Sequence, residues 1–374
     1  MQEVGKRPSP ARRIGRSLGL AVALSAAVAS IAACGSSNSS SSSSSSAPAA
    51  SSTSTASSSS SSSGGSLKTG LKVFVIPKNL GNNYFTVADS VKTGGALAAL
   101  QTLSETGTET SGSAATSASQ LPAIQAAIAK GANVLIVSAT DPTALCPTLK
   151  SAMARGVTVV TYDSDAPTCR QLFTNQASTA AIGTSEVDLL AKQVGEKGDI
   201  AVVSAAASAT NQNAWIGFMK QELKKYPNMH LVSTVYGNDD PTTATQVTQG
   251  LLQKYPHLAG IISPTTVGIA AAAAVLDTPQ YRGKVKLTGL GTPLSLKKFV
   301  DDGTIDAFEL WDPSKLGYLA AYAAVNVASK KITGAQGQTF SAGKLGSYTI
   351  GPDNTIILGP PTVFDKSNIA KFNF

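Results

Sequence analysis

Histidine is nearly absent from this 374-residue chain: His230 and His257 are the only two. Each stands near the start of a β-branched run, the end of a parallel strand opposite to the one where sites form. The folded body from Leu67 on holds no G-x-S-x-G elbow, the one match, Gly15 to Gly19, falling in the basic N-terminal segment, nor is there any cluster of His, Cys, Asp and Glu at metal-ligand spacing. Nucleophilic hydrolysis and metal-assisted chemistry therefore lack their usual residues. Asp163 and Asp165 could mimic a catalytic carboxylate pair, but hydrogen bonding to ligand hydroxyls accounts for them equally well. No enzyme, no cofactor and no metal are expected. Long basic runs are missing too. The formal charge is +8, but the first 33 residues hold five of the 30 cations and one of the 22 acids, which leaves the rest at +4. Nucleic acid is accordingly not an expected partner. Cysteine is scarce, at three.

What is present begins with Lys6, Arg7, Arg12, Arg13 and Arg16 ahead of an apolar run from Leu18 that is short for a membrane span. This pattern predicts a secretion signal over 1–33. The run closes on Ile31-Ala32-Ala33-Cys34, which resembles the lipobox of bacterial lipoproteins and implies lipidation at Cys34. Arg12-Arg13 raises twin-arginine export, although the residues after the pair fit it poorly. From 34 to 66 the chain is mostly serine, a composition with too little apolar surface to offset ordering. It is expected to act as a tether with a root-mean-square span of about 30 Å. The expected location is the outer face of the cell membrane, held there by the lipid. In an exported chain the two remaining cysteines, Cys146 and Cys169, are expected to form a disulfide; two buried free thiols are the other reading.

Leu67 to Phe374 leaves 308 residues for the folded body. Runs such as LKVFVIPK, NVLIVSAT, VTVVTYDSD, DIAVVSAAA, LAGIISPT and KVKLTGLG are nearly continuous in apolar character, as strands covered on both faces are. Amphipathic stretches separate them, among them SQLPAIQAAIAKGA, DPTALCPTLKSAMARG and STAAIGTSEVDLLAKQVG. Alternating strand and helix predicts an α/β fold with parallel sheets. About ten strands suit two lobes facing each other across a cleft. SYTIGPDNTIILG reads as a hairpin around Asp353-Asn354.

Polar residues gather after the carboxyl ends of the strands, where open parallel sheets bind ligands. They include Lys78, Asp141, Asp163, Asp165, Asn211, Gln212, Thr265, Thr266 and Asp312. Helix capping and loop formation compete for each of them. Sugars require such donors and acceptors together with an aromatic surface for the C–H face of the ring. PKNLGNNYF supplies Lys78, Tyr84 and Phe85; ELWDPSKLG supplies Trp311 and Asp312. Trp215, Phe218, Met219 and Leu223 share helical spacing, so core packing is the first reading of Trp215.

IPKNLGNNYF, TYDSDAPTCR with TNQA, ATNQNAWI, VYGNDDPTTA, IISPTTVGIAAAA, TGLGTP and AFELWDPSKLGYLAAYAA occur in order. Together they resemble the type I periplasmic sugar-binding proteins of ABC importers, in the branch with rhamnose-binding and autoinducer-2-binding members. The resemblance implies two Rossmann-like lobes joined by three hinge strands: 67–175 with 312–345, and 176–311 with 346–374. It implies ligand contacts from Lys78, Asp163, Gln212 and Pro264, which match the autoinducer-2 branch. Asn211 and Thr266 depart from that branch, which carries aspartate and alanine there, and ATNQNAW and PTTVGI look like the rhamnose branch instead. Asn83, Phe85, Asp141 and Asp312 fall at further ligand positions of related proteins. The implied function is capture of a small sugar, rhamnose or a related deoxyhexose first, by lobe closure and its delivery to permease and ATPase subunits, with the protein a monomer. Autoinducer-2 uptake and a sugar sensor feeding a receptor kinase are the alternatives.

Overall fold

Five strands in the first part of the body pair side by side, three of them apolar at almost every position. The computed structural model describes residues 66–374. The secretion signal over 1–33, Cys34 and nearly all of the serine tether lie outside the described residues. β1 (Lys72–Ile76), β2 (Thr106–Glu109), β3 (Val134–Val137), β4 (Thr158–Tyr162) and β5 (Leu172–Asn175) form one parallel sheet. Between them run α1 (Asn83–Asp89), α2 (Ala96–Thr102), α3 (Ser117–Ala129) and α4 (Pro142–Ala154). β3 and β4 are buried throughout, because helices cover both faces of a parallel sheet. β2, TGTE, is an edge strand of alternating exposure and shows no apolar run.

The chain then crosses through residues 176–178 into a second αβ series. It comprises α5 (Thr179–Val194), β6 (Gly198–Ser204), α6 (Thr210–Glu222), β7 (Met229–Tyr236), α7 (Pro241–Lys254), β8 (Gly260–Ser263), α8 (Thr266–Leu276), β9 (Lys286–Gly289), α9 (Pro293–Asp301) and β10 (Ala307–Leu310). β7, β6, β8 and β9 lie in that order, all parallel, and a parallel bridge from Leu290 to Glu309 brings β10 beside β9. A second crossing, Trp311-Asp312, leads into α10 (Pro313–Ala328), which packs on α1, α2 and β4 of the first lobe. Gly317 makes that packing possible: a Cβ there would lie 1.9 Å from the Ala88 carbonyl oxygen of α1. Gly183 does the same for α5, whose Cβ would lie 2.4 Å from the Trp215 carbonyl oxygen on α6. Both close approaches fix helices whose aromatic residues reach the cleft.

The tail differs from the expected hairpin. β12 (Ser347–Thr349) pairs with β11 (Thr339–Ser341), while β13 (Thr355–Ile357) runs parallel to β5 at the edge of the first sheet. Asp353 and Asn354, both left-handed at φ 52°, turn the chain between them, and a single bridge, Gly351 to Thr355, is all that remains of a hairpin. β14 (Thr362–Asp365) then pairs antiparallel with β10 in the second sheet. Pairing with β5 places Thr355–Ile357 in the first sheet. The chain passes between the two sheets at residues 176–178, 311–312 and 358–361. The fold is a type I periplasmic binding protein architecture with two parallel-sheet lobes. Cys146 on α4 and Cys169 are joined in a disulfide, with Cα atoms 5.3 Å apart.

Candidate functional site

The cleft between the lobes holds a small cavity lined by residues from both. Its first-lobe wall is built from strand ends. Lys78 follows β1, and Asp163 follows β4 with its backbone left-handed at φ 60°. Asp163 is held by Ser138, whose Oγ donates to Oδ2 at 2.7 Å, and by the Lys78 ammonium 3.5 Å away. Both charged side chains are buried, so each depends on the other and on the polar groups around it.

The aromatic wall starts at α1, where the Asn82 side chain accepts from Tyr84 N and caps the helix. That cap sets Tyr84 and Phe85 into the cavity. Trp311, on the second crossing, donates from Nε1 to the Tyr84 hydroxyl at 2.9 Å, and the two rings meet edge to face. Trp215 of α6 lies with its ring centroid 6.1 Å from that of Trp311. At 2 % exposed it is a core residue, as its spacing suggests, and one that also lines the cavity. Burial pushes the Tyr84 phenol well above its ordinary pKa, and the nearby Asp163 carboxylate adds to that shift. Tyr84 therefore stays neutral and hydrogen-bonding.

The second-lobe wall comes from helix starts. Asn211 and Gln212 open α6; the Asn211 amide donates to the Asp163 carbonyl oxygen at 3.4 Å, and its Oδ1 accepts from Lys78 Nζ at 3.4 Å. Gln212 Oε1 accepts from Ser204 Oγ and Ala205 N, which leaves its amide NH₂ directed by two fixed bonds. Pro264, Thr265 and Thr266 follow β8 and complete the polar rim, while Leu290 and Leu310 add an apolar corner.

Of the expected site residues, Lys78, Phe85, Asp163, Asn211, Gln212, Pro264, Thr265 and Thr266 line this cavity. Four do not. Asp141 caps α4 by accepting from Thr143 N and Ala144 N. Asp312 caps α10 through Ser314. Asp165 is bound bidentately by Arg170, at 2.9 Å for each bond, and also accepts from Thr161. Asn83 sits at the rim, where its amide donates across the cleft to Ser295 Oγ at 2.9 Å. In each case a short polar side chain at a strand end or helix start serves local backbone or lobe contacts. Asn82, Tyr84, Trp215, Asp239, Leu290, Leu310 and Trp311 line the cavity in addition. Tyr84 and Trp311 carry a sequence signal, as aromatics beside expected polar positions; the leucines carry none.

A pocket between two lobes, with an ion pair, amides and hydroxyls on one side and aromatic faces on the other, can hold a small polyol. Residues 73–332 match the family model described as a periplasmic binding protein domain. The chain belongs to that family, and its structural relatives are solute-binding proteins of sugar ABC transporters. One is a sugar ABC transporter protein from Actinomyces odontolyticus, 44% identical over 81% of this chain and 98% of that one, with a TM-score of 0.64. A second, from Clostridium phytofermentas with bound L-rhamnose, is 36% identical over 81% and 98%, with a TM-score of 0.78. A third, LsrB from Clostridium saccharobutylicum in complex with autoinducer-2, is 25% identical over 81% and 100%, with a TM-score of 0.76.

Proposed function

We propose that the protein captures L-rhamnose or a related deoxyhexose in this cleft and presents it to the permease and ATPase of an ABC importer. The observation that carries the reading is the pairing of a polar wall with an apolar corner. Lys78, Asp163, Asn211 and Gln212 offer donors and acceptors for ring hydroxyls, and Phe85, Trp311, Leu290 and Leu310 offer a surface for a ring face and a C6 methyl group. The L-rhamnose-bound relative supports the choice of sugar. So does Asn211: a neutral amide in place of a carboxylate weakens the case for the autoinducer-2 ligand.

The lobes in this reading are 67–175 with 312–357, and 176–311 with 362–374. Ligand touching both favours the closed arrangement through contacts that an open cleft cannot make. Cys34 anchors the body to the outer face of the cell membrane through its lipid, and the serine tether lets it reach the permease as a monomer. Calorimetric titration with L-rhamnose, L-fucose, D-fucose and autoinducer-2 tests the reading. Tight binding of a deoxyhexose is expected; preference for autoinducer-2 would replace the sugar assignment, and silence from all four would end it.

A further inference from the structure

The loop after β7 carries a feature that the sugar-binding reading does not use. Asn238 and Asp239 are consecutive non-glycine residues in the left-handed region, at φ 55° and 50°. Such conformations cost free energy and persist where the surroundings impose them, most often at sites. Part of the reason for this turn is local, since Asp240 immediately follows and caps α7 through Thr243. The cap does not require the Asp239 side chain, yet the turn places that carboxylate in the wall of the main cavity.

Among the described residues, one hydrogen bond reaches the Asp239 carboxylate: Thr265 Oγ1 donates to Oδ1. Desolvation in the cleft raises its pKa, while the Lys78 ammonium and the Thr265 bond draw it back down. Asp239 is the only acid from the second lobe in the cavity lining; Asp163, the other acid there, comes from the first. Asn211, at the start of α6, supplies an amide rather than a charge. The second lobe thus obtains its charged acceptor from a different loop.

We infer that Asp239 is a ligand-contacting residue, whose Oδ2 accepts a hydrogen bond from one sugar hydroxyl while Thr265 fixes Oδ1. This rests on the reading of the cleft as a sugar site. A half-buried charged acceptor with one oxygen uncommitted gains a partner when a hydroxyl arrives, and its bond is stronger than one to a neutral amide. Pocket specificity follows, because an analogue lacking that hydroxyl leaves Oδ2 desolvated and without a partner.

Asp239→Asn tests the inference, because asparagine tolerates the left-handed backbone and keeps the shape of the side chain while removing its charge. Calorimetry on the wild type with L-rhamnose, L-fucose, D-fucose and D-arabinose identifies the sugar to use. No heat from any of them would reject the sugar reading itself, and this inference with it. With that sugar, Asp239→Asn is expected to weaken binding about 10- to 100-fold, with the melting temperature of the unliganded protein held within about 2 °C. One monodeoxy derivative of the sugar should then bind variant and wild type alike, because the hydroxyl that Asp239 contacts is already gone. Wild-type binding with the variant within threefold would overturn the assignment of Asp239 alone. So would a loss of affinity accompanied by a fall in unliganded melting temperature, or an equal loss in the variant for every deoxy derivative.

Discussion

Lys78 of the first lobe donates to Asn211 Oδ1 of the second at 3.4 Å, while its ammonium also lies 3.5 Å from Asp163 Oδ2. One buried cation therefore serves an ion pair within its lobe and a hydrogen bond between lobes. Lys78→Met removes both and leaves the Asp163 carboxylate supported chiefly by Ser138. Loss of one partner of a buried pair costs on the order of 3 kcal/mol. Urea unfolding of the unliganded variant should show a loss of that size, and sugar binding should fall at least 100-fold. Unchanged unfolding would mean that water compensates Asp163.

Trp215 and Trp311 are the only two tryptophans of the chain, and both line the cavity. Their rings are close enough to share a local environment, with centroids 6.1 Å apart. A sugar ring seated against that wall would change the environment of both. Tryptophan emission should change on titration with the cognate sugar, and Trp215→Phe should keep a binding-dependent signal from Trp311. A wild-type signal flat at saturating sugar would place the ligand elsewhere.

The strands that form the lobes were legible because a parallel sheet covered on both faces must be apolar at successive residues, as VLIV of β3 and TVVTY of β4 are. β2 and β13 were not: TGTE and TII are short edge strands, and partner choice for three residues depends on the tertiary frame. The site was legible to the level of strand ends and no further. Asp163 and Asp165 stand two residues apart in one motif, yet one lines the cavity and the other is engaged by Arg170. Residue type cannot separate these duties, because a carboxylate that caps a helix and one that accepts from a ligand use the same oxygens. Asp239 was hidden for the same reason, beside the more obvious N-cap Asp240. What distinguishes it is its backbone φ and its neighbours from other loops.

Two acids in the second lobe give a pH dependence of known sign. Glu186 on α5 is fully buried, with neither oxygen hydrogen-bonded among the described residues, and burial together with the nearby Glu309 charge drives its pKa well up. Glu309 on β10 is raised from 4.5 to about 7 by burial, with Ser185 opposing the shift by donating to Oε1 at 2.5 Å. A raised carboxyl pKa means that the folded state holds the proton more tightly than the unfolded one. Stability is therefore greatest below pH 4.5 for this group, declines as pH rises through about 7, and then levels off. The change for Glu309 is on the order of 3 kcal/mol. Glu309→Gln should remove that part of the decline in urea unfolding between pH 5 and pH 8. Parallel wild-type and variant curves would show that Glu309 titrates normally.

The Cys146–Cys169 bridge links α4 to the loop ahead of β5 across a sequence separation of 23 residues. Closing a loop of that length in the unfolded chain stabilises the fold by about 3 kcal/mol on the loop-entropy account. Neither cysteine lines the main cavity, so the bridge should contribute to stability without setting affinity. The paired substitution Cys146→Ser with Cys169→Ser should lower the urea midpoint accordingly and leave the dissociation constant of the cognate sugar within threefold. A large affinity loss at full folding would instead tie the bridge to the placement of Asp163, which lies between α4 and the bridged loop in sequence. Reduction of the wild type by dithiothreitol provides the control, since it should reproduce the stability loss without altering any side chain that contacts ligand.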